Sequence, residues 1–289
     1  MNDTYDKLTV NIAETPSGKG SADENFPVGS FLLPRALRPH VAVFYAFARA
    51  IDDVADNPEL TAEDKIARLD GFDQALMGLN KDPAFEKSHI VRSSLIFTGV
   101  PIQHCRDLIS AFKQDAVKLR YNDWDDLIDY CNRSAAPVGR YLLDLHGVSK
   151  ELYPASDALC NALQVINHLQ DCRDDYRSMD RVYLPQDWMR TAGIEVTALD
   201  ESFTVKGLRQ VLDLCLHETS ELLRLARLLP RPMSSRRLAM ETAVIVRIAE
   251  RLVAELRVRD PLAERVILTK PQYLISCVQG LLRLFFNSR

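Results

Sequence analysis

The run from His40 to Asp56 is apolar on nearly every side until its last turns, where Arg49, Asp52, Asp53 and Asp56 appear. A helix with no polar face has to be buried, so this segment must cross the interior and carry carboxylates in with it. Pro39 suits a first helical turn and Asn57-Pro58 stops the helix. Asp52 and Asp56 are four residues apart and share one helix face, about 6 Å apart along the axis. Two carboxylates so placed repel each other, and a bound divalent cation would remove the conflict. A solvated acidic face is the ordinary alternative, because charged residues are mostly exposed.

A second pair with the same spacing stands far downstream, in Asn167-His168-Leu169-Gln170-Asp171-Cys172-Arg173-Asp174-Asp175. Pro154 opens a helix expected to run past Asp175 and to end at Arg181-Val182-Tyr183-Leu184-Pro185. On it Gln164, Asn167, Asp171 and Asp175 form one stripe. Mg²⁺ is a hard ion that takes oxygen ligands and often shares one or two carboxylates with substrate phosphates. Two such aspartate faces across a helical bundle would hold a small Mg²⁺ cluster with a diphosphate between them. Such metals stabilise the charge that grows on departing pyrophosphate. Asp52, Asp56, Asp171 and Asp175 are therefore the candidate metal ligands, with Asp53 weaker because it points about 100° away. Arg49 lies one turn before Asp52, and Arg181 could reach a diphosphate from the helix end. The neutral amides of Gln164 and Asn167 could sit beside the metals or admit water. His168 reads as packed against a neighbour.

The remaining segments also have helical periodicity. Thr61-Ala62-Glu63-Asp64 resembles a capping box with Asp in place of Glu or Gln. Ile66, Leu69, Phe72, Leu76 and Leu79 continue that helix, and others are expected at about 84–98, 102–119 and 124–146. Pro137, in Ser134-Ala135-Ala136-Pro137-Val138-Gly139, predicts a kink in the last of these. Small residues there would admit a ligand or another helix. Leucine-rich segments at about 205–229, 234–257 and 271–286 complete the set, with a polar loop around 192–203. Arg224, Arg227, Arg231, Arg236 and Arg237 read as a solvated helix connection. No strand-like alternation or repeat is visible. The expected fold is all-α: a polar, mobile arm over 1–22, then one helical domain over 23–289.

With 289 residues, 47% of them apolar, the chain can bury a large core. A net charge of −4 and pI near 5.9 argue against a nucleic-acid partner. Six scattered cysteines without C-x-x-C or a secretory signal read as reduced thiols in a cytoplasmic protein. No apolar run approaches the roughly 18 residues of a spanning helix, so membrane contact would be peripheral. Nucleophile elbow, Walker A and G-x-G-x-x-G signatures are absent, and Glu86-Lys87-Ser88-His89 is a lone copy of the pair that a di-iron bundle needs twice.

Tyr45 through Asp56 resembles the first aspartate-rich motif of the squalene/phytoene synthase family. Gln164 through Asp175, followed by Asp180-Arg181-Val182-Tyr183-Leu184-Pro185, resembles the second. The resemblance runs from about residue 23 to the last helices. It implies an all-helical prenyl-synthase fold, a deep apolar channel, Mg²⁺ and a prenyl diphosphate substrate. Phe26, Phe44, Phe47 and Val138 are candidate channel walls.

Ser17-Gly18-Lys19-Gly20 to Asp23-Glu24-Asn25-Phe26-Pro27-Val28, and Ser134 through Arg140, are similar to the family's hydroxysqualene synthase branch. That branch ionises presqualene diphosphate supplied by a sister enzyme and captures the rearranged cation with water, without NADPH. Two departures set the chain apart from squalene and phytoene makers. Cys131-Asn132-Arg133 stands where those carry a tyrosine, and Ala249 stands where another is expected. A squalene or phytoene synthase joining two prenyl diphosphates is the alternative, and a non-enzymatic assembly protein of the same descent the third. The apolar substrate and product suggest work at the inner membrane surface, through the last helix and its Arg283.

Overall fold

The computed structural model describes residues 33–286. The expected arm over 1–22, and Phe26, lie outside the described residues. α1 (Arg38–Asp56) is the expected buried helix, with Val41, Phe44, Phe47, Ala50, Ile51 and Val54 in the core. α2 (Ala62–Met77) starts at Thr61, whose hydroxyl accepts from the Asp64 backbone N–H. Asp64 is too short to complete the capping box: its carboxylate accepts from the Thr61 hydroxyl rather than from the Thr61 backbone. Gly78 ends this helix at φ +80, a left-handed conformation that glycine enters freely. α3 (Glu86–Thr98) and α4 (Gln103–Asp115) pack against α1 and α2.

The single kinked helix expected over 124–146 is two helices, α5 (Trp124–Ser134) and α6 (Ala136–Leu145). Ala135 leaves the helical region (φ −123, ψ −48), and Pro137 falls in the first turn of α6, where it needs no N–H partner. The long helix expected from Pro154 past Asp175 is likewise broken. α7 (Tyr153–Gln170) ends at Asp171 (φ −107, ψ 8), and α8 (Cys172–Met179) begins immediately after it.

The expectation of no strands is corrected in one place. β1 (Arg120–Tyr121) and β2 (Val182–Pro185) form a two-stranded parallel sheet. Strands this short carry no periodicity for a sequence to display. α9 (Gln186–Thr191) precedes the stretch expected as a polar loop around 192–203, and a short 3-10 turn over Val196–Asp200 lies within it. α10 (Lys206–Ala226), α11 (Arg236–Val258) and α12 (Lys270–Phe286) close the bundle.

The fold is all-α, and one hydrophobic cluster runs through the helices. α7 lies at its centre, against α5, α6, α10 and α11, with twelve of its residues buried. Gly139 lets α6 approach it: a Cβ there would come within 2.4 Å of Ser156 Oγ and 2.7 Å of Cys160 Sγ. All six thiols are free, and each is buried or half-buried. No described helix is long and apolar enough to cross a membrane.

Candidate active site

A cavity of about 380 Å³ lies between α1 and α7, with α6 and α11 as further walls. α1 presents Val41, Phe44, Tyr45, Ala48, Arg49 and Asp52 to it, and α7 presents Ser156, Leu159, Cys160, Leu163, Gln164 and Asn167. Both rows follow the three- and four-residue spacing of one helix face. Each begins apolar or weakly polar and ends in strongly polar groups, so Arg49, Asp52, Gln164 and Asn167 crown one end of a greasy cleft.

Of the four expected channel walls, Phe44 and Val138 line the cavity. Phe44 is stacked on Tyr141, with ring centroids 3.8 Å apart, and the Tyr141 hydroxyl donates to the His40 carbonyl. Phe47 does not line it: three residues on from Phe44, it is fully buried with its ring edge against Phe72. Cys131, Asn132, Arg133 and Ala249 are not among the lining residues either. Asn132 accepts from Asn161, and Arg133 is paired with Asp129.

At the crown, Arg49 binds Asp52 at 2.8 Å and Asp53 at 2.9 Å. Burial and the neighbouring Asp56 push the Asp52 carboxyl up to about 8, against the pull of Arg49. Arg181, 5% exposed, donates from Nη1 to Asp56 Oδ1 at 2.5 Å and from Nη2 to the Ala55 carbonyl at 2.9 Å. Burial works against its charge, but Tyr183, Asp115 and Asp56 hold the guanidinium charged.

The position of Arg181 follows from local structure. α8 ends at Asp180 in a left-handed conformation (φ 54), which an aspartate tolerates better than most side chains. Arg120 holds that turn through the Asp180 carboxylate, at 2.5 Å, and through its carbonyl oxygen. The β1–β2 pairing then fixes the chain immediately after Arg181, with Val182 N–H donating to the Leu119 carbonyl.

Beneath the crown is a layer of buried polar and aromatic groups that the sequence reading missed. The Tyr130 hydroxyl donates to Asp115 at 2.7 Å. Burial pushes the Asp115 carboxyl up to about 7, opposed by Arg181 and by Tyr130. His168 packs as expected, stacked on Tyr183 at 3.5 Å between ring centroids. Burial and Arg181 push it down to about 3, so it is neutral. Its Nε2 stands 3.2 Å from Gln164 Nε2 and can accept from that amide. Asp115 carried no motif; only its place in a buried turn of α4 gives it weight.

Asp171 and Asp175 lie beyond the cavity lining. The break at Asp171 takes them off the straight stripe with Gln164 and Asn167, although the Asp175 N–H still donates to the Asp171 carbonyl at 2.8 Å. Asp171 is paired with Arg265 at 2.9 Å. Among the described residues no three His, Cys, Asp or Glu side chains form a ready-made metal cage. The donor set still suits a hard cation: a half-buried carboxylate raised by partial burial and by its neighbour Asp56 is the environment a divalent ion relieves.

The squalene/phytoene synthase family model matches residues 20–272, and the chain belongs to that family. It is 43% identical to the hydroxysqualene synthase of Zymomonas mobilis, over 93% of this chain and 90% of that one. It is 42% identical to the hydroxysqualene synthase of Rhodopseudomonas palustris, over 92% and 91%. Among solved structures, squalene synthase HpnC from Alicyclobacillus acidocaldarius superposes with a TM-score of 0.69 at 31% identity, covering 80% of this chain and 86% of that one. A dehydrosqualene synthase in complex with ligand shares the fold at a TM-score of 0.73 and 20% identity, covering 89% and 90%.

Proposed function

We propose that this chain is a hydroxysqualene synthase acting on presqualene diphosphate, supplied by a sister enzyme of the same family. The observation that carries the reading is the division of one cavity into a charged, amide-bearing crown and a mostly apolar remainder, in which Glu241 is the one charged side chain. A diphosphate belongs at the first and a C30 hydrocarbon in the second. The relatives named above agree with it.

Asp52, Asp56, Asp171 and Asp175, with Asp53 as an auxiliary, would hold Mg²⁺, which supplies Lewis-acid stabilisation of the leaving diphosphate. Arg181, already held in place, offers fixed positive charge on the side of Asp56, and Arg49 offers it beside Asp52. Preorganised charge of this kind lowers the barrier to ionisation because it needs no reorganisation. The carbon–oxygen bond breaks, the electron pair leaves with diphosphate, and the cyclopropylcarbinyl cation rearranges between Phe44, Val138 and Leu163. Those apolar walls exclude bulk water and present no strong nucleophile. One water then adds to the cation and passes a proton to the departed diphosphate, giving hydroxysqualene. Gln164 and Asn167, neutral amides at the boundary between crown and cleft, orient that water. The neutral His168 beside Gln164 fixes the direction of its amide. No hydride donor enters the scheme, so NADPH is not required.

The deciding assay supplies presqualene diphosphate and Mg²⁺ without NADPH, in isotope-labelled water. Labelled hydroxysqualene is the expected product. Squalene formed only with NADPH, or phytoene-type products from two identical prenyl diphosphates, would overturn the reading.

A further inference from the structure

α12 carries an apolar face that none of the described residues covers. Leu274, Ile275, Val278, Leu282, Phe285 and Phe286 are all about half exposed or more, up to 76% at Phe286. At 100° per residue they fall within an arc of about 120°. The opposite face is the packed one, where Ser276 and Gly280 are buried against α11.

Charge singles this region out. Residues 222–240 contain five arginines and residues 265–286 two arginines and a lysine, and neither stretch contains an Asp or Glu. Arg283 is occupied by Glu250 and Arg227 by the same carboxylate. Arg231, Arg236 and Arg237 are exposed and have no ion pair among the described residues.

Three features meet at one end of the bundle. α12 runs antiparallel to α11, since Gln272 bonds Glu255, Gln279 bonds Arg247, and Gly280 lies on Ala243. Phe285 and Phe286 therefore lie towards the start of α11, beside Arg236 and Arg237. Gln170 and Arg173 bond the carbonyls of Val266 and Leu262, which puts the far end of α11 beside the end of α7 and the aspartates. The start of α11 is thus at the more apolar end of the cavity, where Leu229, Met233 and Leu238 form its wall together with Glu241 and Thr242.

We propose that this end of the molecule docks on an anionic phospholipid surface, with the α12 face in the acyl boundary and Arg231, Arg236 and Arg237 on the headgroups. An apolar helix face flanked by free cations is the pattern that binds such surfaces. A second copy of the chain fits less well: an isologous contact sets the patch against itself, and here that brings arginines towards arginines, with the adjoining Glu221 and Glu250 already paired to Arg224, Arg227 and Arg283. Resting on the assignment of a C30 substrate and product, the docked orientation aims the apolar end of the cavity at the bilayer. An apolar product then passes into lipid without crossing water.

Flotation on vesicles of phosphatidylglycerol and phosphatidylcholine tests this, with pure phosphatidylcholine as the comparison. The full chain is expected to float with the anionic vesicles. The triple variant R231E/R236E/R237E is expected to bind roughly a hundredfold more weakly, at about 1 kcal/mol per cation. Two of its substitutions place acids in a first helical turn, where they favour the helix. L282S/F285S, which keeps every charge, is expected to weaken binding as well. A wild-type chain that stays in the soluble fraction, or a triple variant that binds as tightly as the wild type, overturns the proposal. So does a dimer in sedimentation velocity that F285D converts to monomer, since the face then belongs to a second copy. Turnover of detergent-dispersed presqualene diphosphate, read in parallel, separates the two readings. Flotation without turnover upholds the surface and rejects the substrate; turnover without flotation does the reverse.

Discussion

Arg181 places Nη1 2.5 Å from Asp56 Oδ1, joining residues 125 positions apart. This contact ties the segment after the second aspartate motif to the first motif. Its second nitrogen, on the Ala55 carbonyl, fixes the plane of the guanidinium. The guanidinium's remaining N–H groups can therefore meet an anion without searching for their orientation, a property that lysine lacks.

Arg181→Lys keeps the charge and removes the fork. The expected result is a fall of about a hundredfold in kcat/KM for the prenyl diphosphate, the scale of losing one preorganised electrostatic group. The helical circular dichroism should not change. Activity within a factor of two of wild type would refute the assignment.

Asp171→Asn separates metal binding from folding. Asp171 is partly exposed and pairs with the surface residue Arg265, a pair of a kind that contributes under about 1 kcal/mol. Loss of turnover with thermal stability nearly unchanged is expected, read by product formation and melting temperature. Full activity in this variant would remove Asp171 from the ligand set.

The buried layer under the crown sets opposing pH dependences. His168 is held down to about 3 in the fold. Its contribution is present above the ordinary histidine value and is lost as pH falls towards 3. Asp115 is raised to about 7, so its contribution is present below the ordinary carboxylate value and is lost as pH rises through 7. Between about pH 4 and 6.5 the two slopes oppose each other. His168→Phe, which keeps a ring against Tyr183, should leave stability declining across that range. Asp115→Asn should leave it nearly flat, because the Asp52 carboxyl, raised to about 8, still opposes the His168 slope. Urea denaturation at several pH values gives both slopes, and parallel curves for the two variants would contradict the account.

Gly280→Ala tests the seating of α12. A Cβ there would stand 2.7 Å from the Ala243 carbonyl oxygen and 2.8 Å from Val244 Cα, both backbone atoms that cannot turn aside. Overpacking costs about 1–3 kcal/mol, against a gain of up to about 1 kcal/mol in helix propensity. A lower melting temperature is expected; a higher one would mean that α12 shifts freely.

The sequence displayed the helices because burial on one face repeats every three or four residues, and it displayed the aspartates because they break that pattern. Asp52 lines the cavity where a helix without a polar face had to carry it. What stayed hidden depended on contacts between distant segments. The break at Asp171 leaves the spacing of Gln164, Asn167 and Asp175 unaltered, so periodicity cannot reveal it. Phe44 and Phe47 look alike as aromatic residues on one helix, yet one faces the cavity and the other Phe72. The ion pair of Arg283 with Glu250 joins residues 33 positions apart and leaves no sign in the sequence. The role of Arg120 in holding the Asp180 turn joins residues 60 positions apart, with no local sign in either.

The six thiols bear on how the protein can be handled. Burial pushes Cys160 and Cys172 up to about 12 and moves Cys105, Cys131 and Cys215 further in the same direction. Thiolate is the form that alkylating reagents and peroxide attack, and almost none is present in these five at neutral pH. Five of the six cysteines are thus chemically quiet while folded, and the half-buried Cys277 on α12 is the remaining one. With Cys277 replaced, a single new cysteine at an exposed position would be the dominant site for a spectroscopic label.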